Sequence, residues 1–282
     1  MRIDKTRTAG YNKTEVMKMK KLIVGLDADT ALLKTAKETG WDGVFFDWND
    51  QTDYCAVKKE TCALGLEIQS IHAPFTGIYR VWEGTDEEAK AEMEKQLTCF
   101  RDAAGIGVDL VIMHAIIGLD RVGPNEIGVE RFFKMIREAE KLGVRIALEN
   151  TEGEEYLKAL MDAFKDEKNV GFCVDTGHEL CYNHGTDTIA KYGRRLFGTH
   201  LNDNMGQTGE KITWYDDAHL LPFDGVADWV DIAARLKKAG FTGPLTFELI
   251  KGNRPERHTS DRYIAMTDRE YLAAAYEHAR CF

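Results

Sequence analysis

The stretch GFCVDTGHELCYNHG, residues 171–185, runs from an apolar segment straight into a carboxylate and then an imidazole. Gly171-Phe172-Cys173-Val174 has the length and continuity of a strand covered on both faces, the habit of parallel sheets. Asp175 ends it, and His178 follows three residues on. A polar turn accounts for one such ending. A site requires that other strands end the same way.

Seven further runs share its character. In order, the eight are KLIVGLDA (21–28), GVFFDW (43–48), LEIQSIHA (66–73), DLVIMHA (109–115), VRIALEN (144–150), VGFCVDT (170–176), LFGTHLND (196–203) and PLTFELI (244–250). Helical spacing fills the intervals. DTALLKTAKETG sets Leu32, Leu33 and Ala36 on one face and stops at Gly40. NEIGVERFFKMIREAEKLG sets Ile127, Phe132, Phe133, Ile136 and Ala139 together and stops at Gly143. GVADWVDIAARLKKAG does so with Trp229, Ile232, Ala233 and Leu236 and stops at Gly240. DREYLAAAYEHARCF, with Leu272, Ala275 and Tyr276 on one face, supplies the last helix. A glycine after the last turn is a helix stop signal.

Alternating β and α units imply parallel strands joined by right-handed crossovers. Eight of them predict an α/β fold, a single-domain (β/α)8 TIM barrel over residues 21–282, behind a polar N-terminal extension over residues 1–20. Such a barrel takes ~250 residues, so the chain length leaves little remainder. An open doubly wound sheet is the other way to arrange such units, but no G-x-G-x-x-G follows the first run.

The formal net charge of −10 argues against nucleic acid or any partner gripped mainly through phosphates. No apolar run reaches the roughly 18–20 residues of a membrane span, so no membrane partner is expected. MRIDKTRTAGYNKTEVMKMKK lacks the apolar core of a secretory signal. Cys55, Cys62, Cys99, Cys173, Cys181 and Cys281 form no C-x-x-C pair, and several lie in apolar contexts. Reduced thiols in a cytoplasmic protein are expected.

The strand ends then line up. The third run ends in His72, the fourth in His114, the fifth in Glu149-Asn150, the sixth in Asp175 with His178 beyond, the seventh in His200-Leu201-Asn202-Asp203 and the eighth in Glu248. A parallel barrel delivers all of these to one rim, the face where barrel active sites sit. One such residue alone reads as a cap or a hydrogen-bonded structural histidine. Six strands doing it together place carboxylates close enough to repel unless protonated or bridged by a cation. Carboxylate oxygen with imidazole nitrogen suits Mn²⁺, Zn²⁺, Fe²⁺ or Co²⁺. Glu149, Asp175, His200 and Glu248 come from four consecutive strands, spaced by 26, 25 and 48 residues. The longest interval holds the segment 202–225, too long for a connector, whose Asp217-x-His219 pair is expected to fold back over the site.

The ordered set IHAPF, LENT, VDTGH, HLNDN, DAHLLPFDGVADW and LTFEL resembles the xylose isomerase-like TIM barrel superfamily, from about residue 21 to the end. That superfamily groups sugar phosphate isomerases and epimerases and inosose dehydratases with type IV apurinic endonucleases. The resemblance to its ketose epimerase branch implies one divalent metal ion, Mn²⁺, Zn²⁺, Co²⁺ or Mg²⁺, held by Glu149, Asp175, His200 and Glu248. It implies Glu149 and Glu248 as the catalytic pair that removes and returns a proton beside a carbonyl through an enediolate. It also implies His72, His114, His178, Asp217 and His219 as substrate-binding residues, and a small sugar or sugar phosphate as the partner. Related barrels often pair through catalytic-face loops, so a homo-oligomer fits too. The endonuclease branch offers an alternative: the same nine positions match its three-zinc ligand set. Against it stand the acidic balance and an early loop, HAPFTGIYRVWEG, whose one arginine is Arg80. An inosose dehydratase-like lyase shares the deprotonation step. A barrel that binds a sugar without turning it over would need no pair of bases.

Outside this set, Trp48, Phe75, Trp82, Trp214 and Tyr215 are candidates to stack on a sugar face or simply to pack. Asp47 ends the second run as a hydrogen-bond acceptor or a helix cap. LIKGNRPERHTSDR gathers Lys251, Arg254, Arg257, His258 and Arg262, either a phosphate grip or a solvated loop.

Overall fold

The computed structural model describes residues 20–282, so the expected N-terminal extension lies outside the described residues apart from Lys20. The strands are β1 (Leu22–Gly25), β2 (Gly43–Asp47), β3 (Glu67–His72), β4 (Leu110–His114), β5 (Arg145–Glu149), β6 (Val170–Asp175), β7 (Leu196–His200) and β8 (Leu245–Phe247). Each falls inside the apolar run expected for it. All pair in parallel in the order β7-β6-β5-β4-β3-β2-β1-β8. The ring closes between β7 and β8 through an isolated bridge, Leu201 opposite Phe247, with Leu201 N–H donating to the Thr246 carbonyl at 2.8 Å. The result is a single (β/α)8 barrel.

The helix stops act as expected: Gly40, Gly143 and Gly240 all adopt positive φ past the last turns. The helix Glu126–Lys141 is rotated relative to its expected face. It buries Gly128, Phe132, Met135, Ile136 and Ala139, leaving Ile127 and Phe133 exposed. Gly128 explains the rotation, since a Cβ there would lie 2.0 Å from the Trp82 ring. Trp82 packs against that bare backbone and turns Ile127 outward. The last helix, Asp268–Ala279, docks on Trp41, whose indole N–H donates to the Leu272 carbonyl and whose ring meets Phe247 and Tyr276 edge-on. Of the six free thiols, Cys99, Cys173 and Cys181 are buried.

Most apolar side chains fill the layer between strands and helices. A smaller cluster, Leu110, Ile112, Ala147 and Cys173 with Phe197, packs separately. A Cβ on Gly198 would point at Leu110, Ile112 and Cys173, which marks this cluster as the inside of the barrel. Side chains two apart on a strand share a face. Ile112 therefore sits beneath His114, Ala147 beneath Glu149, Cys173 beneath Asp175 and Gly198 beneath His200. An apolar floor carries an ionisable layer.

Candidate metal centre at the barrel mouth

Strand register puts the layer together before any loop is considered. Asp47 pairs with His72, His114 with Glu149 and Asp175 with His200 across neighbouring strands. Glu248 is the first residue past β8. Ligand atoms of Glu149, Asp175, His200 and Glu248 all lie within 4.8 Å of one another. His200 Nδ1 is 3.0 Å from Glu149 Oε1 and 3.2 Å from Glu248 Oε2. The second oxygen of Glu149 faces His72 Nε2 at 3.2 Å and His114 Nε2 at 3.5 Å. His72, His114 and Glu149 thus form an adjoining group of would-be ligands.

The segment after β7 folds back as the sequence suggested. Asp203 and Leu220 exchange two backbone hydrogen bonds of 2.8 Å, forming a narrow excursion whose returning arm carries Asp217 and His219. Asp217 Oδ1 lies 3.3 Å from His178 Nε2 and 3.0 Å from His219 Nε2, yet it is buried and aligned for a hydrogen bond with neither. His219 holds its position at φ +47°, a strained value for a residue with a side chain.

Three histidines are fixed through Nδ1. His72 bonds the Ala73 carbonyl at 2.8 Å, His178 the Asn150 carbonyl at 2.8 Å and His219 the Glu248 carbonyl at 3.2 Å. A carbonyl accepts only, so Nδ1 carries the proton, and in the neutral state that a metal requires each ring would turn its Nε2 lone pair into the cavity. Phe45 stacks on His200 and Phe75 on His114, each with ring centres 4.7 Å apart. Asp175 is clamped by asparagines: Asn202 donates to its Oδ2 at 2.7 Å, and Asn150 bonds its backbone N–H and carbonyl, both at 2.8 Å. Gly177 lets Asn202 in, because a Cβ there would meet Asn202 Oδ1 at 1.9 Å.

Burial opposes charge at every group here, and mutual pairing overrides it at most. Desolvation resists ionisation of Glu149, but His200, His114 and His72 hold its carboxyl well below the usual range. Glu248 is likewise brought to about 2 by His200 and His219 against its burial. Asp175 goes the other way, to about 7, because burial wins over His178 and His219. His219 is raised to about 9 by Asp217 and Glu248 despite burial, and His178 and His200 also rise. His114 is lowered, burial being its largest influence. Without a cation, neutrality is reached by protonating imidazoles that a metal would require neutral.

A cavity of 890 Å³ opens above these groups, lined also by Asp47, Phe75 and Trp214. Asp47 is open to the cavity, though desolvation still raises its carboxyl. The other aromatic candidates serve elsewhere. Trp82 is core, Trp48 donates to Asp102, and Tyr215 lies under Arg257. The basic loop is largely spent on ion pairs: Arg254 with Asp217, Arg257 with Asp216, Arg262 with Asp224 and Lys251 with Asp268. No role for Phe45, Asn150 or Asn202 was legible in the sequence, and Arg254 was expected only within a phosphate grip or a solvated loop. For the asparagines the signal was their place beside a ligand at a strand end.

These features define a class, the (β/α)8 barrels with a carboxylate–imidazole cluster that could hold a divalent cation at the C-terminal mouth. The Xylose isomerase-like TIM barrel family model matches residues 33–272, and the chain belongs to that family. An uncharacterised protein of Sinorhizobium fredii, y4fM, is 33% identical over 61% of this chain and 54% of its own length. A 3-dehydroshikimate dehydratase of Pseudomonas aeruginosa is 24% identical over 87% of this chain and 41% of its own length. The chain therefore spans about half the length of these curated relatives or less. The D-psicose 3-epimerase of Clostridium cellulolyticum superimposes with a TM-score of 0.66 at 17% identity, covering 93% of this chain and 99% of the epimerase, a likeness of fold. No helix among the described residues is long and apolar enough to cross a membrane.

Proposed function

We propose that the protein is a divalent-metal-dependent sugar isomerase or epimerase that moves a proton beside a carbonyl. The observation that carries this reading is the set Glu149, Asp175, His200 and Glu248, three carboxylates and an imidazole with ligand atoms inside 4.8 Å. The donor set fits a cation: three carboxylates this close repel, and one dication relieves them. A cation held there would supply Lewis-acid stabilisation of charge developing on a carbonyl oxygen. Glu149 and Glu248 flank one imidazole and are both ionised at neutral pH, as a base must be. Glu248 faces the cavity, whereas Glu149 is fully buried. His72, His114, His178, Asp217 and His219 ring the cavity within reach of sugar hydroxyls. The sugar 3-epimerases among the structural neighbours support this reading, and the dehydratase relative keeps elimination of water, which shares the deprotonation step, as a variant of it.

A second reading rests on the two further clusters, His72–His114–Glu149 and His178–Asp217–His219. With the first they make nine ligands, enough for a three-metal abasic-site nuclease. The net charge of −10 weighs against that partner. The test is metal content with deuterium entry from D₂O into ketoses. About one ion per chain with deuterium at a sugar carbon supports the isomerase. About three ions, no exchange and cleavage of an abasic oligonucleotide overturn it.

A further inference from the structure

The charged lining of the cavity is one-sided. Asp27, Asp47, Glu152 and Asp268 face it beside the carboxylates of the centre, whereas Lys251 and Arg254 are its only lysine or arginine among the described residues. Both cations are engaged, and the imidazoles of His178 and His219 in the same lining are likewise turned to Asp217, at 3.3 and 3.0 Å. Arg254 Nη2 lies 3.0 Å from Asp217 Oδ2, its Nε donates to the Asp217 carbonyl, and its guanidinium sits over the Trp214 ring. Lys251 Nζ is 3.0 Å from Asp268 Oδ1. A phosphate or carboxylate entering here meets carboxylates first. To gain the arginine it must strand the half-buried Asp217, whose buried Oδ1 already lacks a hydrogen bond. Even a dication at the centre is outnumbered by Glu149, Asp175 and Glu248. Uncharged hydroxyls suit the same walls, because a carboxylate only accepts and a hydroxyl can donate. Leu26, Phe45, Ile117 and Trp214 offer apolar surface for the carbon-bound hydrogens.

Resting on the isomerase reading above, we propose that the cavity selects a polyhydroxy carbonyl compound without an anionic group. Arg254 and Lys251 act as specificity-determining residues by staying paired with Asp217 and Asp268. This separates the chain from its dehydratase relative, whose substrate carries a carboxylate.

The experiment compares kcat/KM for deuterium exchange, with the Mn²⁺-loaded full chain, across uncharged ketohexoses and ketopentoses and their terminally phosphorylated forms. Water loss from 3-dehydroshikimate is followed alongside. Uncharged ketoses are expected to exceed the anionic compounds by about 100-fold or more, since like-charge juxtaposition is strongly disfavoured. Asp268→Asn, which releases Lys251 from an exposed pair, is expected to shift the ratio severalfold toward the phosphorylated forms. Lys251→Met, which leaves the Asp268 carboxylate unpaired in the lining, should move the ratio further toward the uncharged forms. Turnover confined to anionic compounds, or equal for both classes, overturns the proposal and leaves the isomerase reading standing. No exchange from any of them sinks both.

Discussion

The two halves of the site are held by different means. Glu149, Asp175 and His200 stand on strands, fixed by register and by side-chain alternation above an apolar floor. Asp217 and His219 stand on an excursion from the barrel, fixed by a two-bond bridge and by arginines reaching across from the segment after β8. Strand-borne groups are located by the backbone itself. Loop-borne groups are located by side chains, which cost conformational entropy to order and can be loosened one at a time. Chemistry should therefore fail abruptly when the first half is changed and by degrees when the second is.

Glu149→Gln should show the largest effect, lowering exchange by about 10²–10⁴-fold as loss of a general base does. Wild-type exchange would remove Glu149 from the mechanism. Next comes Asn202→Ala, which leaves Asp175 held by Asn150 but its Oδ2 without a donor. Metal affinity measured by calorimetry should fall about 10–100-fold, the usual cost of losing such a supporting partner. Unchanged affinity would mean that Asp175 holds no metal.

Affinity should also climb with pH, by about tenfold per unit for each proton displaced. The protons leave imidazoles raised by their carboxylate neighbours and Asp175, raised to about 7 by burial. The metal-free protein should show the opposite trend in stability. His219, at about 9 when folded, lies above the unfolded histidine value of ~6.5. Its contribution is complete below about 6.5 and is lost as pH rises through about 9, so Tm should fall across that window. A flat affinity profile would contradict the proton bookkeeping. The smallest effect is expected from Arg257→Met, which removes one tie to the buried Asp216, about 1–3 kcal/mol, while its bonds from Thr208 and Thr213 remain. Hydrogen exchange should quicken over residues 203–220 with metal affinity intact, and a collapse of metal binding would erase the contrast between the halves.

The same contrast separates what the sequence reveals from what it hides. Strands and their polar ends are periodic: apolar runs mark β5 to β7, and the two-residue alternation that buries Ala147 and Cys173 raises Glu149 and Asp175. The helix stops at Gly40, Gly143 and Gly240 are equally local. The rotation of Glu126–Lys141 is not local, because it is set by Trp82, far away in the chain. Nor is the union of Arg254 with Asp217, 37 residues apart with no repeat between them. Apolar spacing cannot report a meeting fixed by the folded barrel. The basic loop for that reason read as a phosphate grip or a solvated surface, when Arg254 and Arg257 brace the excursion.

One further consequence concerns the joint between β7 and β8. A ring opens where it is fastened least, and here the fastening is one bridge, Leu201 opposite Phe247, helped by the Thr199 hydroxyl accepting from Thr246 N–H. His200 and Glu248 sit on opposite sides of that joint, and the backbone of Glu248 reaches only to the Leu201 carbonyl at 3.3 Å. A cation shared by those two residues would act as a rivet through the weakest joint of the hoop, coupling mechanical closure of the barrel to readiness for chemistry.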